Sequence, residues 1–193
     1  MNEHWKFLKE VHSFDQLPAD KLPEFIFWGR SNVGKSSLIN LLTKKKIAKI
    51  SRTPGRTRSL VLFEYTKSFR IIDLPGYGYS KISLKKVEKL DILLDRYLRE
   101  RENLKKIFLL VDSRHLLKKI DKLILNLLDE ITKKEVVIVF TKNDKIKSSQ
   151  EVLKKKNQID NIKKEFNKKI FNTSIKDSNG IVLLKKFLFN SLK

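Results

Sequence analysis

The chain has 193 residues, of which 40% are hydrophobic, and this size suits one α/β domain with a buried core. It contains no cysteine, which excludes disulfides and thiolate metal sites. Lys and Arg outnumber Asp and Glu by 43 to 22, and the formal charge of +21 favours a polyanionic partner such as nucleic acid. Because lysine pairs recur along the whole chain, a compositional bias is the alternative source of part of this charge. With neither a signal pattern nor an apolar run of membrane-spanning length, we expect a soluble cytoplasmic protein.

Residues 1–24 form a lead-in with one short strand or edge segment, and Pro18 and Pro23 separate it from the first core strand. Apolar runs predict strands at residues 25–28, 59–65, 69–72, 107–111, 136–140 and 170–171. Helical spacing predicts helices at residues 35–43, 84–102, 116–131, 148–167 and 181–192. Strands alternate with helices, so we expect an α/β fold with a mainly parallel six-stranded sheet, one antiparallel strand and helices on both faces. Residues 25–193 should form a single domain on which the lead-in packs.

The first core strand runs into a Gly-x-x-x-x-Gly-Lys-Ser pattern, which in this strand–loop–helix context predicts a phosphate-binding P-loop. Gly29 and Gly34 allow the backbone to wrap around an anion. Lys35 can reach the β- and γ-phosphates, and the Ser36 hydroxyl can bind Mg²⁺. The predicted nucleotide-binding residues here are Gly29, Arg30, Ser31, Asn32, Val33, Gly34, Lys35, Ser36 and Ser37.

Two further stretches predict how the phosphates are sensed. Asp73, Leu74, Pro75 and Gly76 have the Asp-x-x-Gly form, in which the carboxylate holds a water of the Mg²⁺ shell and the Gly76 N–H meets the γ-phosphate. In the preceding loop, at residues 44–58, Gly55, Arg56 and Thr57 are the candidates, with the Thr57 hydroxyl on Mg²⁺. Thr53 competes with Thr57 for that role.

The stretch Thr141, Lys142, Asn143 and Asp144 follows a buried strand and is similar to the guanine-specificity motif. A carboxylate at position 144 accepts hydrogen bonds from guanine N1–H and N2–H₂, and adenine offers no such pair of donors. The Lys142 stem can pack over the base. Thr173, Ser174 and Ile175 would supply a second base-contacting loop.

Together, the motifs at residues 29–40, 53–57, 73–79 and 141–144 resemble the EngB (YsxC/YihA) family of TRAFAC-class bacterial GTPases. The most specific signs are Leu-Pro-Gly-Tyr-Gly-Tyr at residues 74–79 and Thr-Lys-x-Asp at residues 141–144. The resemblance implies a P-loop NTPase fold of the Ras-like G-domain type. It also implies a GTP switch in large ribosomal subunit assembly, linked to normal cell division and septation. The partner would then be the large subunit and its rRNA, bound without DNA specificity, and we expect a monomer.

The resemblance further assigns catalytic roles to Lys35, Thr57, Gly76 and Asn32. Asn32 is the candidate K⁺ ligand, because related potassium-activated GTPases keep an asparagine at this place. Tyr77 holds the position where Ras-like proteins keep a water-orienting glutamine, so we expect slow intrinsic hydrolysis of GTP to GDP. Two alternatives remain. One is a nucleotide-dependent ribosome-binding module with negligible turnover, and the other is an ATP-using P-loop enzyme, which Asp144 disfavours.

Overall fold

The protein is described by a computed structural model, which covers residues 4–49, 59–77 and 84–192, with the side chains of residues 84–91 left aside. The strands are β1 (Trp5–Val11), β2 (Glu24–Gly29), β3 (Leu60–Tyr65), β4 (Phe69–Asp73), β5 (Leu104–Asp112), β6 (Glu135–Thr141) and β7 (Lys169–Asn172). The helices are α1 (Lys35–Thr43), α2 (Leu84–Glu100), α3 (Lys119–Ile131), α4 (Ser149–Phe166) and α5 (Ser178–Asn190).

In the described part of the chain, seven strands form one sheet in the order β1-β3-β4-β2-β5-β6-β7. β3 runs antiparallel to both of its neighbours, and the other neighbouring pairs are parallel. The α/β architecture with one antiparallel strand is therefore confirmed, but the sheet has one strand more than the six predicted. The additional strand is β1 from the lead-in, which pairs along its length with β3.

The core lies on both sides of the sheet. In β2, Phe25 and Phe27 pack on the face covered by α1 and α5, whereas Ile26 and Trp28 pack on the face covered by α2, α3 and α4. This alternation follows from the two-residue period of a strand, and a strand buried on both faces needs apolar residues at every position. Because β2 is central, its carboxyl end at Gly29 lies in the middle of one edge of the sheet.

The ends of some elements differ from the predicted ones because of local capping. The helix expected from residue 116 begins at Lys119, since Leu116 has a left-handed backbone (φ 56°) and Lys118 is the N-cap. The last helix begins three residues before the predicted start, where the Asp177 side chain accepts a hydrogen bond from the Asn179 N–H. None of the helices in the described residues is long and apolar enough to cross a membrane.

Candidate nucleotide-binding site

The predicted P-loop lies between β2 and α1, at the carboxyl edge of the sheet. Gly34 has φ +105° and is the N-cap of α1, so the chain enters the helix through a backbone conformation that favours glycine. A Cβ at Gly29 would lie 2.7 Å from the Leu110 carbonyl oxygen, which leaves no room for a side chain. Asn32 also has a left-handed backbone, with φ 61°. The loop thus has the curved backbone that an anion-binding nest requires.

Lys35 and Asp73, predicted separately from two motifs, form an ion pair between Nζ and Oδ1. They meet because Asp73 ends β4, which pairs in parallel with β2. Burial raises the pKa of Asp73, and the charge of Lys35 and its hydrogen bond act against that rise. A buried carboxylate of this kind is stabilised by a nearby cation. Asp73 and the hydroxyl of Ser36, in the first turn of α1, are hard oxygen donors of the kind that Mg²⁺ prefers.

The residues after Asp73 lie against the P-loop. A Cβ at Gly76 would lie 2.8 Å from the Ser31 backbone nitrogen, so only glycine fits where this segment passes close to the P-loop backbone. Tyr77 and the P-loop exchange two backbone hydrogen bonds, with the Tyr77 N–H donating to the Gly29 carbonyl and the Ser31 N–H donating to the Tyr77 carbonyl. These two hydrogen bonds join the segment after Gly76 directly to the P-loop backbone.

The Tyr77 ring points toward α3. Its hydroxyl donates to Asp121 Oδ1 at 2.7 Å, and its ring packs edge-on against Trp28. Burial raises the pKa of Tyr77 well above its ordinary value, and the charge of Asp121 adds to the rise. Asp121 is fully buried and also forms an ion pair with Arg30 Nε at 3.3 Å. Asp121 was absent from the predicted site because it lies in the first turn of a helix, a common place for an acidic residue.

The Thr141 hydroxyl explains why threonine can begin the motif after β6. It donates to the Val33 carbonyl at 2.5 Å and lies 3.3 Å from the Val111 carbonyl. The side chain therefore connects the end of β6 with the P-loop.

Lys142 connects the same two loops through its ammonium group. Nζ donates to the Asn32 carbonyl at 2.6 Å and to Asp112 Oδ2 at 2.8 Å. Burial acts to raise the pKa of Asp112, but hydrogen bonds from Arg114 and Lys142 hold it well below its ordinary value. Asp112 was absent from the predicted site, although a carboxylate that ends a buried strand was a usable signal.

Asp144 lies beside the P-loop with a nearly buried side chain, 6% exposed. Its Oδ1 accepts a hydrogen bond from the Ser174 hydroxyl at 3.0 Å. Its Oδ2 is buried and has no hydrogen-bond partner among the described residues, the nearest cation being Lys145 Nζ at 3.9 Å. Such an unpaired buried oxygen is costly unless a ligand supplies the donor.

A pocket of about 160 Å³ opens in front of Asp144. Its lining includes Gly34 and Ser37 from the P-loop side, Lys142 and Asp144 from the loop after β6, and all three predicted residues of the second loop. That loop is fixed by the Thr173 N–H, which donates to the Phe140 carbonyl at 2.7 Å, and Ile175 is largely exposed at its rim.

Asn143 differs from its neighbours because its side chain points to α4. Its Oδ1 accepts a hydrogen bond from Lys155 Nζ at 2.5 Å, and burial lowers the pKa of Lys155 to about 8. Its N–H donates to the Thr173 carbonyl at 3.1 Å, which holds the two base loops together. The predicted residues Gly55, Arg56 and Thr57, with the competitor Thr53, lie outside the described residues.

A P-loop, a carboxylate at the end of the neighbouring strand and a pocket closed by a buried Asp define the class of P-loop GTP-binding proteins. The family model described as "50S ribosome-binding GTPase" matches residues 24–142. The chain is 43% identical over 175 residues to the "Probable GTP-binding protein EngB" of Mycoplasmopsis synoviae, with 90% of each protein covered. It is 49% identical over 142 residues to the protein of the same name from Clostridium acetobutylicum, covering 73% of this chain and 70% of that one. The chain belongs to the EngB family of GTP-binding proteins.

Solved structures agree with this assignment. The crystal structure of a probable GTP-binding protein EngB has a TM-score of 0.66 and 27% identity, covering 88% of this chain and 98% of that chain. The crystal structure of Era in complex with MgGDPNP and nucleotides 1506–1542 of 16S ribosomal RNA has a TM-score of 0.67 and 28% identity, covering 88% of this chain and 56% of that one. The predicted Ras-like P-loop fold and the EngB resemblance are both confirmed.

Proposed function

We propose that this protein binds GTP and GDP with Mg²⁺ at the carboxyl edge of the sheet and hydrolyses GTP as a switch in assembly of the large ribosomal subunit. It would act in the cytoplasm as a monomer, and the family resemblance extends the role to normal cell division and septation. The ribosomal part is supported by the description of the matching family model. It is also supported by the charge of +21, which suits an rRNA partner.

The single observation that carries the choice of base is the Asp144 carboxylate. Ser174 occupies Oδ1, while Oδ2 is buried without a hydrogen-bond donor and belongs to the lining of the pocket beside the P-loop. Guanine brings N1–H and N2–H₂ donors to such an acceptor, and adenine does not. Guanine binding would therefore satisfy an oxygen that is otherwise left unpaired.

Asp144→Asn tests this choice by competition of GDP, ADP and xanthosine diphosphate. Asparagine presents an NH₂ donor, so the variant should lose GDP affinity by about 10- to 100-fold, the range for a hydrogen bond to a charged group. It should gain affinity for xanthosine diphosphate, whose C2 carbonyl is an acceptor. Asp129→Asn, at an exposed ion pair on α3, is the matched control and should leave all three affinities unchanged. Equal binding of GDP and ADP by the wild type would instead support the ATP-using enzyme.

On the phosphate side, Lys35 would leave Asp73 and reach the β- and γ-phosphates. Ser36, Asp73 through a water, and Thr57 would hold Mg²⁺, which would neutralise phosphate charge during hydrolysis. The Gly76 N–H would meet the γ-phosphate. Asn32 would hold K⁺ near the developing charge, so exchange of K⁺ for Na⁺ should slow hydrolysis, and equal rates in both salts would reject this role.

A second candidate is a nucleotide-dependent ribosome-binding module with negligible turnover. The observation in its favour is Tyr77, whose hydroxyl is held by Asp121 on α3, away from a water-orienting role. Hydrolysis measured with and without purified large ribosomal subunits separates the two candidates. Stimulation by the subunits supports the switch, and absence of turnover in both conditions supports the binding module.

A further inference from the structure

A second concave region, which we name the α1 groove, opens beside the carboxyl end of α1 with a volume of about 770 Å³. Lys44, Lys45, Lys46 and Lys49 line it, and its described lining contains neither Asp nor Glu nor an aromatic residue. The groove is continuous with the pocket in front of Asp144, because Ser37, Leu41 and Ile175 line both.

The backbone that carries these lysines is fixed by hydrogen bonds. The Asn40 side chain donates to the Ala48 carbonyl at 2.9 Å and accepts from the Ala48 N–H at 2.8 Å. The Thr43 hydroxyl donates to the Lys45 carbonyl at 3.2 Å, and Lys44 turns the chain out of α1 with φ 52°. The ammonium groups are therefore attached to a preformed surface, which lowers the ordering cost of binding.

In contrast to some lysines elsewhere on the molecule, the four lysines of the α1 groove form no ion pair among the described residues. Lys106, Lys122 and Lys168 each form an ion pair with a carboxylate. In the groove, Lys45 donates to the neutral Trp5 carbonyl at 3.3 Å, and within the described residues no carboxylate pairs with any of the four.

The sequence around the groove also differs from the rest of the chain. Between Glu24 and Glu64 there are nine Lys or Arg residues and neither Asp nor Glu. A general lysine bias would leave acidic residues interspersed here as it does elsewhere. The concentration of one sign of charge favours a bound polyanion, which would offset the repulsion among the lysines.

We propose that the α1 groove binds the phosphate backbone of RNA, next to the bound guanine nucleotide. This inference rests on the proposed function and adds to it the surface by which the protein contacts rRNA. RNA is favoured over an acidic protein because the described lining lacks the aromatic anchors that dominate protein interfaces. Flexible ammonium groups are point donors suited to phosphate oxygens. Binding here is independent of base sequence.

The test uses the full-length triple variant K44Q/K46Q/K49Q, which retains Lys45 and its contact with β1. The control is K156Q/K163Q/K164Q on α4, whose three lysines are exposed and which lowers the formal charge by the same amount. Sedimentation with purified large ribosomal subunits across a salt series measures affinity, and GDP binding by each variant reports that the nucleotide site is intact.

Loss of three phosphate contacts should make the negative slope of log affinity against log salt shallower by about 2 to 3 in the groove variant, and by less in the control. GDP affinity should be unchanged in both. Equal losses in the two variants would overturn the proposal, since general charge would then be the cause.

If the wild type binds GDP but not the subunits, the ribosomal part of the proposed function is rejected. The groove is then tested separately by measuring the affinities of the wild type and the groove variant for poly(U) RNA and polyglutamate. Selective loss of poly(U) binding in the groove variant supports the groove as an RNA site. Preference of the wild type for polyglutamate, or an unchanged affinity for poly(U), rejects it.

Discussion

Two carboxylates at opposite edges of the central sheet, Glu24 and Asp144, differ in how completely the chain satisfies them. At the amino edge, the buried Glu24 carboxylate accepts from Arg101 at 2.7 and 2.9 Å and from the Tyr97 hydroxyl at 2.6 Å, so both of its oxygens are used. At the carboxyl edge, one oxygen of the nearly buried Asp144 has no donor among the described residues. The chain itself satisfies the first carboxylate, whereas the second keeps a buried acceptor for which a ligand could supply the donor.

The largest effect is expected from Arg70 at the amino edge. Its guanidinium is 3% exposed and pairs with Glu64 Oε2 at 2.9 Å and Asp20 Oδ2 at 2.5 Å. Arg70→Met removes the buried partner that Glu64 shares with Asp20 and leaves Glu64 with only the half-exposed Lys6, whose Nζ lies 3.0 Å from Oε1. Such a loss costs about 3 kcal/mol, the lower end for a broken buried pair. Urea unfolding should show this decrease in the free energy of unfolding.

Arg99→Met is the control for Arg70→Met, because Arg99 pairs with Asp95 on the exposed side of α2. Surface pairs of this kind contribute about 0–1 kcal/mol. Similar losses in the two variants would contradict the view that the amino edge is the structural one.

A smaller effect, on both the free energy of unfolding and GDP affinity, is expected at the carboxyl edge from Thr141→Val. The change keeps the shape of the side chain but removes the donor to the Val33 carbonyl. We expect a loss of about 1 kcal/mol in the free energy of unfolding, the usual net contribution of one hydrogen bond. GDP affinity should fall several-fold because one of the two side-chain links between the P-loop and the loop after β6 is lost, and only that of Lys142 is left. Calorimetric GDP titration checks this, and Thr141→Ser, which restores the hydroxyl, should recover both values.

The difference between the edges also explains what the sequence could predict. The carboxyl edge is built from local motifs, so Lys35, Asp73 and Asp144 could be predicted to share it from residue type, spacing and their positions after apolar strands. The amino edge joins residues far apart in the chain, such as Glu24 and Arg101, whose pairing depends on the topology. β1 depends on the topology in a similar way, because only Trp5 and Val11 at its two ends are buried and the strand is held in place by its pairing with β3. Asp112 and Asp121 were missed because each acts through a partner from another element.

The smallest effect is the change in the free energy of unfolding that Asp20, at the amino edge, causes at acidic pH. Hydrogen bonding to Arg70 lowers the pKa of Asp20 from 3.8 to about 2 in the folded protein. A folded pKa below the unfolded value means that the Asp20 contribution is present above pH 4 and is lost as the pH falls from about 4 to about 2. The free energy of unfolding should therefore fall more steeply across this window in the wild type than in Asp20→Asn. Because Arg70 is the largest cause, Asp20→Asn should change the acid dependence much less in the Arg70→Met background, where the Leu22 N–H is the remaining hydrogen-bond donor to Asp20 Oδ1. An equally steep fall in wild type and Asp20→Asn would show that other carboxylates carry the acid sensitivity.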